Sequence, residues 1–187
     1  HYVAGGNTLV PNEDGSFSLK IDEATAVAKV DGVGYTTLQA AVDALAASQS
    51  KTGSVTLITS TAEDIVIPAG ADITLNLPAG ITLTNVSAHT ITNHGKLTVT
   101  GTGTVDSIKH ARAALYNSPT GNVTIWGGEF TRSQEAGTYE PYSNGGNSFY
   151  TIQNQGVMVI GAADGGDTSA IKVHADGGYS SLIANGY

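Results

Sequence analysis

The sequence contains no cysteine, which excludes a disulfide scaffold and any metal site built from thiolates. Charge is also scarce: Asp, Glu, Lys and Arg together make up 13% of the chain, about half of their share in an ordinary soluble domain. Long charged side chains cover the outer faces of surface helices, so their scarcity predicts few such helices. No run of ~18 apolar residues occurs, and we therefore expect no membrane contact by this segment.

Positive charge is the scarcer sign, with eight Lys and Arg against sixteen Asp and Glu and a net charge of −8. Nucleic-acid binding relies on clustered cations that neutralise phosphates, so we expect no nucleic-acid partner. The five histidines include no pair with metal-ligand spacing on one helix face, which predicts no metal site. No Ser-His-Asp arrangement and no phosphate-binding glycine loop is recognisable either. We therefore expect no catalytic set and no cofactor.

Glycine, threonine and asparagine take the place of the missing charges, and this mixture suits short strands joined by tight turns. Residues 1–26 carry two turn clusters and one candidate strand at 17–21, which predicts a leader or linker from a preceding region. Residues 27–187 then form one β domain. It opens with a hairpin over 27–35 around Asp31-Gly32.

One helix is predicted, over residues 36–48. Thr36 and Gln39 form a capping-box pattern, in which each side chain satisfies an amide of the first turn. The apolar positions recur at helical spacing and form one stripe that must be buried; they are Leu38, Ala41, Val42 and Leu45.

After Gly53 the sequence repeats one pattern: apolar-x-Asn-x-Gly-x-apolar-x-apolar-x-Gly. Its asparagines are Asn93, Asn117, Asn154 and Asn185. Each copy predicts a strand, a turn and a second strand, with Asn and Gly in the turn because left-handed φ is expected there. The runs are too close for βαβ units, and a sandwich does not readily repeat one turn four times. The sequence therefore predicts an all-β fold, a right-handed parallel β-helix (solenoid) with an N-terminal capping helix.

The four asparagines have two interpretations: a row that binds a ligand, or an internal ladder of amides that hydrogen-bond to one another and to turn carbonyls. The pattern favours the ladder. The fourth copy stops at Tyr187, so we expect the solenoid to be truncated at its C-terminal end.

The segment Lys29–Ala44, followed by Gly53–Ile58, resembles the entry segment of pectin-lyase-like right-handed parallel β-helix proteins. It looks closest to β-helix regions of gut-bacterial surface proteins and of phage appendage proteins. The resemblance rests on Tyr35-Thr36-Thr37-Leu38-Gln39-Ala40-Ala41-Val42-Asp43, and it implies that this helix plugs the N-terminal end of the solenoid. The architecture hosts lyases, hydrolases, adhesins and tailspikes, so it does not fix a function.

The enzyme motifs of that superfamily are missing. Polygalacturonase-type hydrolases need an Asp-Asp pair, a Gly-His-Gly and an Arg-Ile-Lys, and the sequence contains none of these. Pectate-lyase-type sites need acidic calcium ligands with an arginine base, but neither Arg112 nor Arg132 is flanked by a carboxylate cluster.

Ligand binding is predicted at two places. The irregular stretch 131–148 interrupts a repeat and carries Glu135, Tyr139, Glu140 and Tyr142, a combination of rings and hydrogen-bonding groups that suits sugars. Trp126 is the second candidate, as a platform for a sugar ring. The alternatives are a solvated loop whose tyrosines pack back on the coil, and a tryptophan that only packs.

The function predicted from these features is a non-catalytic surface or fibre module, extracellular on a cell or virion, which acts as a rigid stalk and binds a glycan or cell-surface receptor. A bacterial adhesin and a phage head or tail appendage are rival forms, and a homotrimer is expected for the phage form. Two alternatives stay open. One is a polysaccharide lyase or glycoside hydrolase whose catalytic coils lie beyond this fragment, and the other is a purely structural spacer.

Overall fold

The structure is a computed structural model, and it describes residues 7–11, 14–21, 25–109, 111–133, 149–161, 168–174 and 180–186. Within these ranges the chain is mostly β, with one α-helix, α1 (Leu38–Ala47). The strands in chain order are β1 Asn7–Pro11, β2 Phe17–Ile21, β3 Ala28–Val30, β4 Val33–Tyr35, β5 Thr52–Leu57, β6 Thr61–Ala62, β7 Ile65–Ile67, β8 Asp72–Leu77, β9 Thr82–Thr84, β10 Ile91–Asn93, β11 Lys96–Gly101, β12 Thr104–Asp106, β13 Leu115–Asn117, β14 Asn122–Ile125, β15 Gly128–Thr131, β16 Phe149–Asn154, β17 Val157–Ile160, β18 Ile171–Val173 and β19 Ser180–Asn185.

Three parallel-rich sheets take up almost all of these strands. Sheet A has the order β19-β16-β13-β10-β7, sheet B the order β17-β14-β11-β8-β5-β3-β4, and sheet C the order β18-β15-β12-β9-β6. From β7 onward, consecutive strands of the chain enter sheets A, B and C in turn, through four rounds. Each strand from β8 onward therefore pairs with the strand three places earlier, and these pairs are parallel.

Residues of the same kind occupy the same place in each round. In sheet A the register aligns Ile65, Ile91, Leu115 and Ile152, and all four are fully buried. Comparable buried columns run through the other two sheets: Leu75, Val99 and Ile125 in sheet B, and Leu83, Val105 and Phe130 in sheet C. Because side chains alternate along a strand, every second residue faces this one core, and each such side chain stabilises the fold by about 1.5–3 kcal/mol.

The helix buries the predicted apolar stripe, which confirms Leu38, Ala41, Val42 and Leu45 as its inner face. The predicted cap is wrong by one residue, and the helix is shorter than 36–48. Thr37 is the N-cap, and its hydroxyl accepts a hydrogen bond from Ala40 N at 3.1 Å. The Thr36–Gln39 capping box is absent because the carboxylate of Glu63 accepts from the first helical amides instead, those of Leu38 at 2.9 Å and Gln39 at 3.1 Å.

Gln39 is thereby released to cover the first edge of sheet A. Its side-chain oxygen accepts from Val66 N at 2.7 Å, and its Nε2 donates to Val66 O at 3.1 Å and to Asp43 Oδ1 at 2.8 Å. Val66 is the middle residue of β7. The residues on either side of it bond in the other direction, toward β10, through Ile65 N and Ile67 O. The amide of Gln39 thus pairs with the free side of β7 as a neighbouring strand does, which protects that edge.

Two hairpins precede the helix. The hairpin predicted around Asp31-Gly32 is confirmed: β3 and β4 pair antiparallel, and both turn residues have positive φ (47° and 80°), as a type I′ turn requires. The strand predicted at 17–21 is also confirmed, as β2. Its partner β1 was not predicted.

Candidate functional site

The repeated asparagines form a continuous chain of hydrogen bonds at the ends of the sheet A strands. Asn93 Nδ2 donates to Asn117 Oδ1 at 2.8 Å, Asn117 Nδ2 to Asn154 Oδ1 at 2.7 Å, and Asn154 Nδ2 to Asn185 Oδ1 at 2.5 Å. The Nδ2 atoms of the first three also reach the carbonyls of the following turns, at Gly95, Gly121 and Gly156. Asn93 and Asn117 are fully buried, and their amides are occupied by these bonds. A buried amide so engaged has no capacity left for a ligand.

The glycines that follow these asparagines have a different role from the predicted one. The expectation of left-handed φ is wrong for Gly95, Gly121 and Gly156 and for the asparagines before them; only Gly186, in the fourth copy, has positive φ. What these three glycines avoid is collision with backbone carbonyls of the preceding round of strands. A Cβ on Gly156 lies 2.2 Å from Gly121 O and 2.4 Å from Ser118 O.

The outer side of sheet B is a flat row of small polar groups, which we call the threonine face. The register aligns Ser54, Thr74, Thr98 and Thr124 in one column, and Thr56, Asn76 and Thr100 in the next. These residues alternate with fully buried Val and Leu, so they point away from the core. Thr98 is buried at 7% exposure, and the other members are at least partly exposed. The face therefore offers hydroxyl and amide groups on strands about 4.8 Å apart.

Trp126 lies at the end of β14, where its amide donates to Val99 O at 2.9 Å. Trp126 is 39% exposed, so a large part of the indole is open to solvent. Val157 and Val159 on the next strand are also exposed, and they pair with Asn122 and Thr124. Both predicted roles of Trp126 stay open, since the residue is partly buried and still presents an accessible ring.

A cleft of about 220 Å³ opens at the corner between sheets B and C, and we call it the corner cleft. It is lined by Thr102, Glu129, Ser169, Ala170 and Lys172. Glu129 Oε1 lies 2.7 Å from His174 Nε2, and its Oε2 lies 3.9 Å from Lys172 Nζ.

The pairing of β15 with β18 aligns Glu129 directly with Lys172, which is why these two charges meet. Glu129, Lys172 and His174 were not predicted from the sequence. The Gly- and Asp-rich sequence of residues 162–167 carries no strand pattern from which the register of the next strand could be predicted, and only the alternation in Ile171-Lys172-Val173 marks a strand there.

His89 and Asp64 carry shifted pKa values, and each has a structural role. Burial lowers the pKa of His89, the guanidinium groups of Arg112 and Arg132 lower it further, and Asp64 acts in the opposite direction. The ring stacks on Tyr116 with centroids 5.0 Å apart, and its Nδ1 accepts from Ala113 N at 2.9 Å. The neutral ring is thus the form that the fold holds.

Burial raises the pKa of Asp64, but hydrogen bonds from residues 86–88 outweigh it and the net pKa is lowered. The amides of Val86 and Ala88 donate at 2.7 and 3.0 Å, and the Ser87 hydroxyl donates at 2.8 Å. The carboxylate therefore fixes the turn that leads into β10.

The predicted sugar-binding loop lies largely outside the described residues. Four predicted sugar-binding residues lie outside the described ones, and their role stays a prediction: Glu135, Tyr139, Glu140 and Tyr142. The described start of the loop is firmly held, since Asp106 accepts from Ser133 N at 2.9 Å and from Ser133 Oγ at 2.5 Å. Arg132 is fully buried beside it and donates from Nε to Arg112 O at 2.9 Å.

Two kinds of feature are absent from the described part of the chain. No group of three or more His, Asp or Glu residues there is arranged to hold a metal ion. None of its helices has the length and apolar character needed to cross a membrane.

No protein-family model, no curated protein and no solved structure matches this chain. The resemblance to pectin-lyase-like proteins therefore stays a prediction, and the case for a function rests on the geometry of the threonine face, Trp126 and the corner cleft.

Proposed function

We propose that the chain is a right-handed parallel β-helix of the pectin-lyase-like kind and that it serves as a non-catalytic extracellular surface or fibre module of a cell or virion. The order of the sheets supports this proposal, because consecutive strands pass through sheets A, B and C and then return to A. Connections between parallel strands are right-handed in nearly all proteins, which supports the handedness. The plugging helix of the resemblance corresponds to α1, which covers the first edge of sheet A through Gln39.

A rigid stalk follows from the way the rounds are joined. Each round adds about 4.8 Å to the length of the stack. Buried apolar columns and the asparagine ladder connect each round to the next, so the rounds bend little relative to one another. Such a stack holds a binding surface at a fixed distance from its attachment point.

The observation that carries the binding function is the exposed ring of Trp126 next to the threonine face. An indole presents a flat apolar surface that stacks on a sugar ring, while hydroxyl and amide groups bond to sugar hydroxyls. The threonine face carries few charges, and its Lys96–Asp72 pair is mutually neutralised at 2.8 Å. A glycan on a cell-surface receptor is the partner that this surface fits.

A glycan array with the wild-type chain and a Trp126→Ala variant tests this function. We expect wild type to bind a subset of glycans and the variant to lose that binding, because the stacking platform is gone. Val86→Ala is the matched control, since Val86 is a similarly exposed apolar residue in a turn outside sheet B. A blank array for the wild-type chain refutes glycan binding and favours the structural spacer.

A second candidate is a polysaccharide lyase or glycoside hydrolase, and the Glu129–His174 contact is the observation that favours it. A carboxylate that contacts an imidazole in a cleft can transfer protons. Hydrolysis normally uses two carboxylates about 5–9.5 Å apart, and Glu129 is the one carboxylate among the described lining residues. Turnover of acidic polysaccharides that Glu129→Gln abolishes would refute the non-catalytic module.

The phage form of the proposal includes a homotrimer. Light scattering coupled to size-exclusion chromatography measures the mass directly. A trimer of the 19.0 kDa chain supports the phage appendage, whereas a monomer favours the adhesin.

A further inference from the structure

We propose that the corner cleft binds one neutral sugar unit of a glycan, with Glu129 as the principal acceptor for its hydroxyl groups. This inference rests on the proposed glycan-binding function and assigns it a second subsite and a sugar class.

The size of the cleft fits a single ring. Its volume of about 220 Å³ lies below the range of ~300–1,000 Å³ that holds drug-sized ligands. The cleft is open to solvent along one side, so a sugar unit can enter while the rest of the chain continues outside.

The lining groups match the hydrogen-bonding pattern of a sugar. Glu129 supplies two acceptor oxygens, Lys172 supplies donors, and the hydroxyls of Thr102 and Ser169 do both. Ala170 adds an apolar contact for the CH groups of a ring. His174 lies 2.7 Å from one oxygen of Glu129, and this contact fixes the carboxylate while its other oxygen faces Lys172.

The charges favour a neutral sugar over a uronate. Glu129 and Lys172 offset each other, so the cleft has no excess positive charge to attract a carboxylate. The whole chain carries a net charge of −8, which repels an anionic polymer. A uronate would also bring its carboxylate close to that of Glu129.

The corner connects the cleft to Trp126. Only Gly127 and Gly128 separate the tryptophan from Glu129, and Gly128 has a φ of +100°. A Cβ on Gly127 lies 2.2 Å from Gly101 O, so the chain turns tightly against the coil beneath it. The platform and the cleft therefore flank one corner, where a single glycan can reach both.

Titration calorimetry with defined oligosaccharides tests the inference. The probes are neutral hexamers of β-1,4-linked glucose and of mannose, with an oligogalacturonate for comparison. We expect a neutral hexamer to bind and Glu129→Gln to weaken it about 10-fold or more, as loss of a charge-assisted hydrogen bond does. Asp43→Asn is the matched control, because it removes an exposed carboxylate on helix α1, outside both the cleft and the threonine face, and it should change the Kd less than about twofold.

The outcomes separate this inference from the proposed function. Binding that Trp126→Ala abolishes and Glu129→Gln leaves unchanged overturns the cleft subsite but retains the glycan-binding module. Binding of the oligogalacturonate alone overturns the neutral class. If no probe binds and the glycan array is also blank, the glycan-binding function itself fails. Circular dichroism of each variant shows that a loss of binding is not a loss of folding.

Discussion

Replacing Asn117 with alanine tests the asparagine ladder in its interior, where the side chain bonds to an asparagine on each side. This fully buried side chain donates to Asn154 Oδ1 at 2.7 Å, to Val157 O at 3.0 Å and to Gly121 O at 3.2 Å. It also accepts from Asn93 Nδ2 at 2.8 Å. Alanine removes all four bonds, and three of the four partners belong to buried residues: Asn93, Gly121 and Asn154.

The expected loss is large. A buried polar group left without a partner costs about 1–3 kcal/mol, and relaxation of the neighbours recovers part of the sum. We therefore expect Asn117→Ala to lower the free energy of unfolding by about 3–5 kcal/mol, at the upper end of single substitutions. Urea unfolding followed by circular dichroism and by the fluorescence of the single tryptophan measures this change.

Asn122→Ala is the control for this experiment. Asn122 is exposed on the adjacent strand β14, so its replacement should change stability by less than about 0.5 kcal/mol. Equal effects of the two substitutions would refute the ladder as a stabilising element.

Three further predictions concern other parts of the fold. Gly156→Ala should destabilise the chain strongly, because the new Cβ meets Gly121 O at 2.2 Å. The control is Gly70→Ala, at a site with open space and positive φ, which should lower the free energy of unfolding by only about 1 kcal/mol. Thermal unfolding compares the two variants. Gln39→Ala should expose the edge amide of Val66 and accelerate its hydrogen exchange, and unchanged exchange there would contradict the edge-covering role. For His89, burial lowers the folded pKa below the unfolded value of 6.5, so the unfolded state binds the proton first. The contribution of neutral His89 to the free energy of unfolding should therefore be fully present above pH 6.5 and be lost as the pH falls below it. In urea titrations at a series of pH values, His89→Gln should reduce this loss of stability.

The all-β architecture, the single helix and the first hairpin were accessible from the sequence because their signals are local and repeated. Alternation of apolar residues, the Asp31-Gly32 turn and the helical stripe from Leu38 to Leu45 each act within a few residues. The recurring Asn predicted that copies of one pattern lie side by side, and the register of sheet A pairs Asn93, Asn117, Asn154 and Asn185 in that order.

What the sequence did not reveal depends on contacts between distant residues. Glu63 accepts hydrogen bonds from the first helical amides although it lies 25 residues away in the sequence. Thr37 is therefore the N-cap, and the side chain of Gln39 bonds to Val66 instead of closing a capping box. The role of Gly156 depends on a carbonyl of the preceding coil. In both cases the sequence marked the right place, a helix start and a turn, but the predicted interaction was wrong, because the partner group lies far away along the chain.

The corner cleft was hidden for the same reason. Glu129 and His174 are 45 residues apart, and only the pairing of β15 with β18 brings them within 2.7 Å. Trp126 was identified because a lone tryptophan is conspicuous in a chain with few aromatic residues.

The most direct test of the stacked arrangement is a distance between spin labels along one column of sheet B. Ser54, Thr74, Thr98, Thr124 and Val159 occupy successive strands in register. Since the chain has no cysteine, the double variant Ser54→Cys, Val159→Cys is labelled only at these two sites. Four strand spacings predict a narrow distance distribution centred near ~19 Å, before allowance for the label linkers. A broad distribution, or a distance centred beyond about twice that value, would contradict the stacking of one round on the next.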